Sequence, residues 1–175
     1  MDIRSTDKDD FRFVFDRDYP LLVDVAYHIV WDLDTAEDLA EEAFERFFMR
    51  SMSFPSADDA RYWLLRVVKN LALNFLRRNK RELEVVSSVG KEELSYNESG
   101  ESNLIRNEER RLVRNAIESL PENLRLVIQL KEFTSLDYKA IGRVLGISET
   151  NVKVRVHRAR KKLEEILGKE YRDVY

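Results

Sequence analysis

Two groups of side chains in this chain have the types and spacing for work on nucleic acid. From Glu149 to Leu163 there are six Lys/Arg and one acid. Wound as a helix, Thr150, Val154, His157, Arg158 and Lys161 share one face, with Lys153, Arg155 and Arg160 on its flanks. A short helix with a cationic outer face at that spacing suits the major groove of DNA. The second group is a stripe of Trp63, Arg66, Asn70, Asn74 and Arg77, continued by Arg78, Lys80 and Arg81. An aromatic that stacks on bases, amides that read edges and cations that hold phosphates are what a single strand requires. A third group has the opposite sign. Glu37, Asp38, Glu41, Glu42 and Glu45 make an anionic helix face. The macrodipole favours acids near a helix start, but five exceed what that requires, which points to docking of a basic protein partner.

Each group needs an element to hold it. Before the basic helix, Ile141 and Leu145 are four apart, and Gly146 sits where a helix ends and the chain must turn with φ > 0. Ser148 follows as an N-cap. Val152, Val156, Ala159 and Leu163 then form the apolar stripe that seats the second helix. Helix, glycine turn, cap and basic helix together predict a helix-turn-helix. Leu120-Pro121-Glu122 opens a supporting helix, with Pro121 in its first turn. In the N-terminal half, Leu22, Val25, Ala26, Ile29, Val30 and Leu33 form one apolar stripe. Thr35 with Asp38 resembles a capping box opening the acidic helix, whose inner face is Leu39, Ala40, Ala43, Phe44, Phe47 and Phe48. Ser56 with Asp59 predicts a helix from about Ala57 to Lys80, cored by Leu64, Val68, Leu71 and Phe75.

The 175 residues are 43% hydrophobic, enough for one medium domain or two small ones. No persistent alternation signals a strand, so the expectation is an all-α chain. Ser87 to Ser102 is rich in Ser, Glu, Gly and Asn and reads as a flexible linker. The expected division is a helical domain over residues 1–85, a linker over 86–105 and a helix-turn-helix domain over 106–175. The net charge of −3 conceals segregation. Residues 1–60 hold 16 acids and 6 bases, residues 61–81 hold seven bases and no acid, and residues 149–163 are basic again. Two basic blocks set among acidic ones suggest two nucleic-acid surfaces and an acidic surface for another partner. With no cysteine, disulfides, thiolate metal sites and cysteine nucleophiles are excluded. Only His28 and His157 could supply imidazole, which argues against a histidine-rich metal site. No cofactor and no catalytic constellation are expected. The charged start and the lack of an apolar run near the roughly 20 residues of a span predict a cytoplasmic protein.

Four stretches in this order resemble a bacterial RNA polymerase sigma factor of the extracytoplasmic-function (ECF) type. They are TAEDLAEEAFE from Thr35, ARYWLLRVVKNLALNFLRRN from Ala60, LPENLRLVIQLK from Leu120 and DYKAIGRVLGISETNVKVRVHRARKKL from Asp137. Each is weak alone, but with a polar linker between them they are specific, and the resemblance covers about residues 10–168. It implies that the first domain binds the clamp of core RNA polymerase through Asp38, Leu39, Glu41, Glu42, Phe44 and Glu45. It also implies that this domain recognises and melts the downstream (−10) promoter element around Phe54, Arg61, Trp63, Arg66, Asn70, Asn74, Arg77 and Arg78. The second domain would read the upstream (−35) duplex through Thr150, Asn151, Lys153, Val154, Arg155, His157, Arg158 and Lys161. An anti-sigma factor is an implied further partner. Three positions depart from the family pattern: Glu41 replaces a usual Gln, Asn74 a frequent Asp, and Val154 a frequent Ser. An apolar Val154 suits a thymine methyl.

The function expected is therefore promoter-specific transcription initiation. A stand-alone helix-turn-helix regulator is the alternative, and it would bind its operator without polymerase. An enzyme holding Mg²⁺ on the carboxylates is disfavoured, because those acids share one solvent-facing helix with no facing acids.

Overall fold

The computed structural model describes residues 2–86 and 104–174. Most of the expected linker, 87–103, lies outside the described residues. Seven helices and one two-residue strand pair make up the rest: β1 (Ile3–Arg4), α1 (Lys8–Val30), α2 (Leu33–Met49), β2 (Ser53–Phe54), α3 (Ala57–Val86), α4 (Leu104–Glu118), α5 (Glu122–Phe133), α6 (Tyr138–Leu145) and α7 (Glu149–Val174). The fold is all-α, as expected.

Capping residues set the helix starts. Asp7 opens α1, its carboxylate accepting from the backbone N–H groups of Asp9 and Asp10 at 3.0 and 3.1 Å. Trp31 ends α1 in the left-handed region, at φ 60°. The next cap differs from expectation: Asp32, not Thr35, opens α2, and its carboxylate accepts from the Thr35 N–H at 2.8 Å. Hydrogen bonds from the Thr35 side chain, then its backbone, hold the Asp32 carboxyl below its ordinary range. Ser56 accepts from the Asp59 N–H at 3.2 Å, as its spacing predicts. The helix it opens runs past Lys80 to Val86. The strand pair was not legible, because two residues per strand carry no alternation. Ile3 lies opposite Phe54 and Arg4 opposite Ser53, antiparallel, tying the N-terminus to the α2–α3 connection.

Helices α1, α2 and α3 bury Leu22, Val25, Ala26, Ala40, Ala43, Phe47, Leu64, Leu65 and Val68 between them. Helices α5, α6 and α7 bury Val127, Ile128, Ile141, Val144, Val152, Val156 and Ala159. Burying the Val, Leu, Ile and Phe side chains among them contributes about 1.5–3 kcal/mol each before chain entropy is counted, which is what holds short helices in place. The two sets join into one continuous apolar cluster, because α1 packs on α5 and α3 on α6.

The helix-turn-helix forms as its spacing predicts. Asp137 caps α6, accepting from the Ala140 N–H at 2.7 Å. Gly146 ends it at φ 70°, its N–H donating to the Gly142 carbonyl. The Ile147 N–H reaches the same carbonyl at 3.0 Å. Ser148 caps α7, accepting from the Asn151 N–H at 3.1 Å. Gly142 is needed for another reason: a Cβ there would stand 2.7 Å from the Ile147 carbonyl oxygen, so the turn closes only over a bare backbone.

Candidate nucleic-acid interface

Val152, Val156 and Ala159 anchor α7 in the core, so its opposite face points outward. Thr150, Asn151, Lys153, Val154, His157, Arg158 and Lys161 are all exposed there, while Arg155 is half-buried. Val154 is 41% exposed, an apolar group held on the outside of a cationic helix. Local pairs orient two members of the set. Lys153 meets Glu149 one turn back at 2.8 Å, which raises the ammonium above its ordinary value. Arg155 donates to the Asn151 side-chain oxygen at 3.0 Å. On the flank, Arg160 donates through Nε to Glu132 of α5 at 3.0 Å. That bond raises the Arg160 guanidinium above its ordinary value and fixes the helix on its support.

The α3 set separates into two kinds of residue. Arg66, Asn70, Asn74, Arg77 and Arg78 lie along its exposed side. The residues expected beside them at its start are committed elsewhere. Phe54 is 7% exposed and stacks on Phe47 with centroids 5.5 Å apart, so its ring faces the core rather than a base. Trp63 is half-buried against Phe47 and Phe54, with the Arg50 guanidinium 6.0 Å from its ring centroid. Arg61 donates through Nε to Asp18 at 2.7 Å. Asp18 is fully buried and is also gripped by Arg17 Nε at 2.9 Å and Nη2 at 2.7 Å. Arg17 reaches on to the Ala57 carbonyl at 2.6 Å. Arg61 is thus half of a clamp that fixes the start of α3 to α1. The sequence carries a signal for Asp18 that the motif pattern does not use: it falls four residues from both Val14 and Leu22 on the buried stripe of α1.

On α2, Asp38, Glu41 and Glu45 are exposed and Glu42 is half-buried. Glu42 is engaged by Arg46 at 2.6 Å. Leu39 and Phe44, also expected to meet a partner, are buried. The carboxylates of this face also raise the Tyr19 hydroxyl, after burial as the larger cause. Any partner therefore meets carboxylates, with exposed Phe48 and Met49 at the far end of the helix.

The exposed side of α3 opens into a cleft of about 500 Å³ whose far wall belongs to the second half of the chain. Lys69, Asn70, Asn74 and Arg77 face Glu122, Asn123, Leu126, Leu145 and Arg155 across it. Lys69 was not singled out from sequence. Burial, then the neighbouring Arg66 charge, lowers its ammonium from the ordinary value. Arg77 crosses the cleft to Glu122 at 3.1 Å.

Two family models match this chain. The Sigma-70 region 2 family model matches residues 14–82, and the Sigma-70 region 4 model matches residues 110–163. The RNA polymerase sigma-H factor of Pseudomonas aeruginosa is 33% identical over 147 residues, covering 79% of this chain and 76% of that protein. The ECF RNA polymerase sigma factor SigW of Bacillus subtilis is 29% identical over 180 residues, covering 98% and 94%. Among solved structures, the Bartonella quintana sigma factor RpoE, in complex with the anti-sigma factor NepR, shares the fold at a TM-score of 0.64. It is 23% identical, over 91% of this chain and 97% of that one. CnrH, in complex with the cytosolic domain of CnrY, aligns equally well at 22% identity, over 94% and 91%.

Proposed function

Because the chain belongs to the ECF group of RNA polymerase sigma factors, whose members direct promoter-specific transcription, we propose that its two halves divide promoter recognition between them. Residues 106–175 read the upstream element as duplex. The exposed face of α7 enters the major groove, where Thr150, Asn151, Val154 and His157 meet base edges. Lys153, Arg155, Arg158 and Lys161 hold phosphates. Each good base contact is worth about 1–3 kcal/mol of discrimination, and the cations add a salt-dependent term.

Residues 1–85 capture the downstream element once it is melted. Unstacking a base costs a few kcal/mol. Asn70 and Asn74 on its edge, the half-buried Trp63 on its face, and Arg66, Arg77 and Arg78 on the backbone offset that cost. Phe54 and Arg61 act beneath this surface, supporting Trp63 and the start of α3. Core polymerase docks on the carboxylates Asp38, Glu41, Glu42 and Glu45, with Leu39 and Phe44 shaping the helix from inside. The chain acts as an initiation factor, and the covalent chemistry is the polymerase's. An anti-sigma factor is a proposed further partner, by likeness of fold to the two complexes. Among the described residues, no helix is long and apolar enough to cross a membrane.

The observation that carries this reading is the outward cationic face of α7 on a capped, glycine-turned helix pair. The test is transcription by core polymerase on templates with both elements randomised. Initiation that requires the chain and selects both elements supports the proposal. Selective binding by the chain alone, without polymerase-dependent initiation, refutes it in favour of a stand-alone regulator.

A further inference from the structure

The turn between α2 and α3 is held by a segment far from it in the chain. Ile3 and Arg4 pair antiparallel with Phe54 and Ser53. Ser5 follows them, is fully buried, and grips Met52 twice. Its N–H donates to the Met52 carbonyl at 2.9 Å, and its hydroxyl oxygen accepts from the Met52 N–H at 2.8 Å. The gripping segment is itself anchored to α1. The Arg4 N–H donates to the Asp10 carboxylate at 2.9 Å, and the Arg4 carbonyl accepts from the Asp7 N–H at 3.1 Å. Ile3 is buried opposite Phe54. The turn so held is strained. Ser51, next to Met52, stands in the left-handed region at φ 48°. A residue with a Cβ keeps that conformation only where its surroundings impose it, and such residues gather at functional sites.

Met52 lies midway between two residues that bear on Trp63. Two positions before it, the exposed Arg50 sets its guanidinium 6.0 Å from the centroid of the Trp63 ring. Two positions after it, Phe54 packs on the same ring with centroids 6.1 Å apart. From this geometry we infer that Ser5 is a positioning residue for capture of the downstream element. By fixing Met52 it fixes the turn from Arg50 to Phe54, and through that turn the place of Trp63 and of the Arg50 cation beside it. The inference rests on the reading of Trp63 and the α3 stripe as the surface that takes the melted strand. The reasoning is one of direction. Phe47, Phe54 and Trp63 meet through apolar contacts, which are non-directional and hold a ring in the core without setting its angle. Hydrogen bonds set both distance and angle, and the Ser5–Met52 pair supplies them at the centre of the turn. Arg50 gains a task from the same arrangement, because an exposed cation beside a base-stacking ring adds attraction for the strand's phosphates. Ser5 and Met52 belong to the first half of the chain and the outer face of α7 to the second. Loosening the turn therefore acts on the downstream element and spares the upstream one.

The test uses the full chain with core polymerase, transcribing templates randomised at both elements. Ser5→Ala removes the oxygen that accepts from Met52, and Ser5→Thr keeps it. Thermal unfolding followed by circular dichroism shows that each variant is folded. Ser5→Ala is expected to melt within about 4 °C of the parent and to discriminate about fivefold less at the downstream element, the effect of one hydrogen bond lost. Its preference at the upstream element should stay as in the parent, and Ser5→Thr should recover most of the loss. Unchanged preference at both elements in Ser5→Ala overturns the inference. An equal loss at both overturns it as well, because it marks a general weakening of the fold. A threonine variant that melts normally yet loses as much as the alanine one overturns the role of the hydroxyl. Asn70→Ala, at an exposed position of the stripe, tests the underlying reading separately. If it lowers downstream preference while Ser5→Ala does not, only the positioning role is lost. If it too changes nothing, the surface itself is wrongly assigned.

Discussion

Asp18→Ala tests whether the start of α3 is positioned by charge or by apolar packing alone. The carboxylate is fully buried and accepts three charge-assisted hydrogen bonds, from Arg17 at 2.9 and 2.7 Å and from Arg61 at 2.7 Å. Removing one partner of a buried ion pair costs about 3–5 kcal/mol, most of it the burden of the charge left behind. Here the cations left behind are 25% and 31% exposed, so water reaches them and the loss falls at the low end, about 3 kcal/mol. For a chain of this size that corresponds to a fall in melting temperature of about 6–12 °C. Arg61→Ala leaves the two-pronged Arg17 grip intact and should cost less, about 1–2 kcal/mol. Thermal unfolding followed by circular dichroism, at low and moderate salt, gives both numbers. The reasoning fails if Asp18→Ala melts within about 2 °C of the parent. It also fails if Arg61→Ala abolishes binding of a single-stranded oligonucleotide while melting normally, because Arg61 would then belong to the DNA surface.

Three further outcomes follow from the same contacts. Gly142→Ala drives a Cβ to 2.7 Å from a backbone carbonyl that cannot swing aside, so the turn must deform at a cost of about 1–3 kcal/mol. A lower melting temperature together with weakened duplex binding is expected, and a normal melt refutes the close-approach argument. Arg158→Ala removes an exposed cation from α7 and should lower the slope of log affinity against log salt by about 0.9 for any duplex, measured by titration at several salt concentrations. A loss confined to one base position would instead mark Arg158 as a base reader. The Asp59 carboxyl is held below its ordinary range chiefly by Ser56 and then by Arg143. A depressed carboxyl supports the folded state above its unfolded pKa, and that support fades as pH falls through the folded value. Stability should therefore fall as pH drops through the acid range, and Asp59→Asn should flatten that fall, read by thermal melts at several pH values. An unchanged pH dependence in Asp59→Asn would refute the contribution of Asp59.

The helix-turn-helix was readable from the amino-acid sequence because every device that builds it is local. Gly146 turns the chain, Ser148 caps the next helix two residues on, and Val152, Val156 and Ala159 recur at the helical period. Such features act within a few residues, so spacing alone reports them. The composition of the acidic α2 face and of the cationic α3 stripe was equally local. What each side chain does there was not. Phe54 and Arg61 look like surface groups in sequence, yet one is in the core and the other serves Asp18, 43 residues away. The cap at Asp32 displaced the one expected at Thr35, because the left-handed turn at Trp31 brings the earlier carboxylate into line. The largest tertiary decision was the closure of one half on the other. Arg143 meets Asp59 across 84 residues of chain, and His28 meets Phe133 across more than a hundred. No periodicity records such a meeting, because it depends on where two finished surfaces come to rest. The sequence determined the helices and the chemistry they display. The packing of helix on helix decided which of those groups face a strand, which face the core, and which face each other.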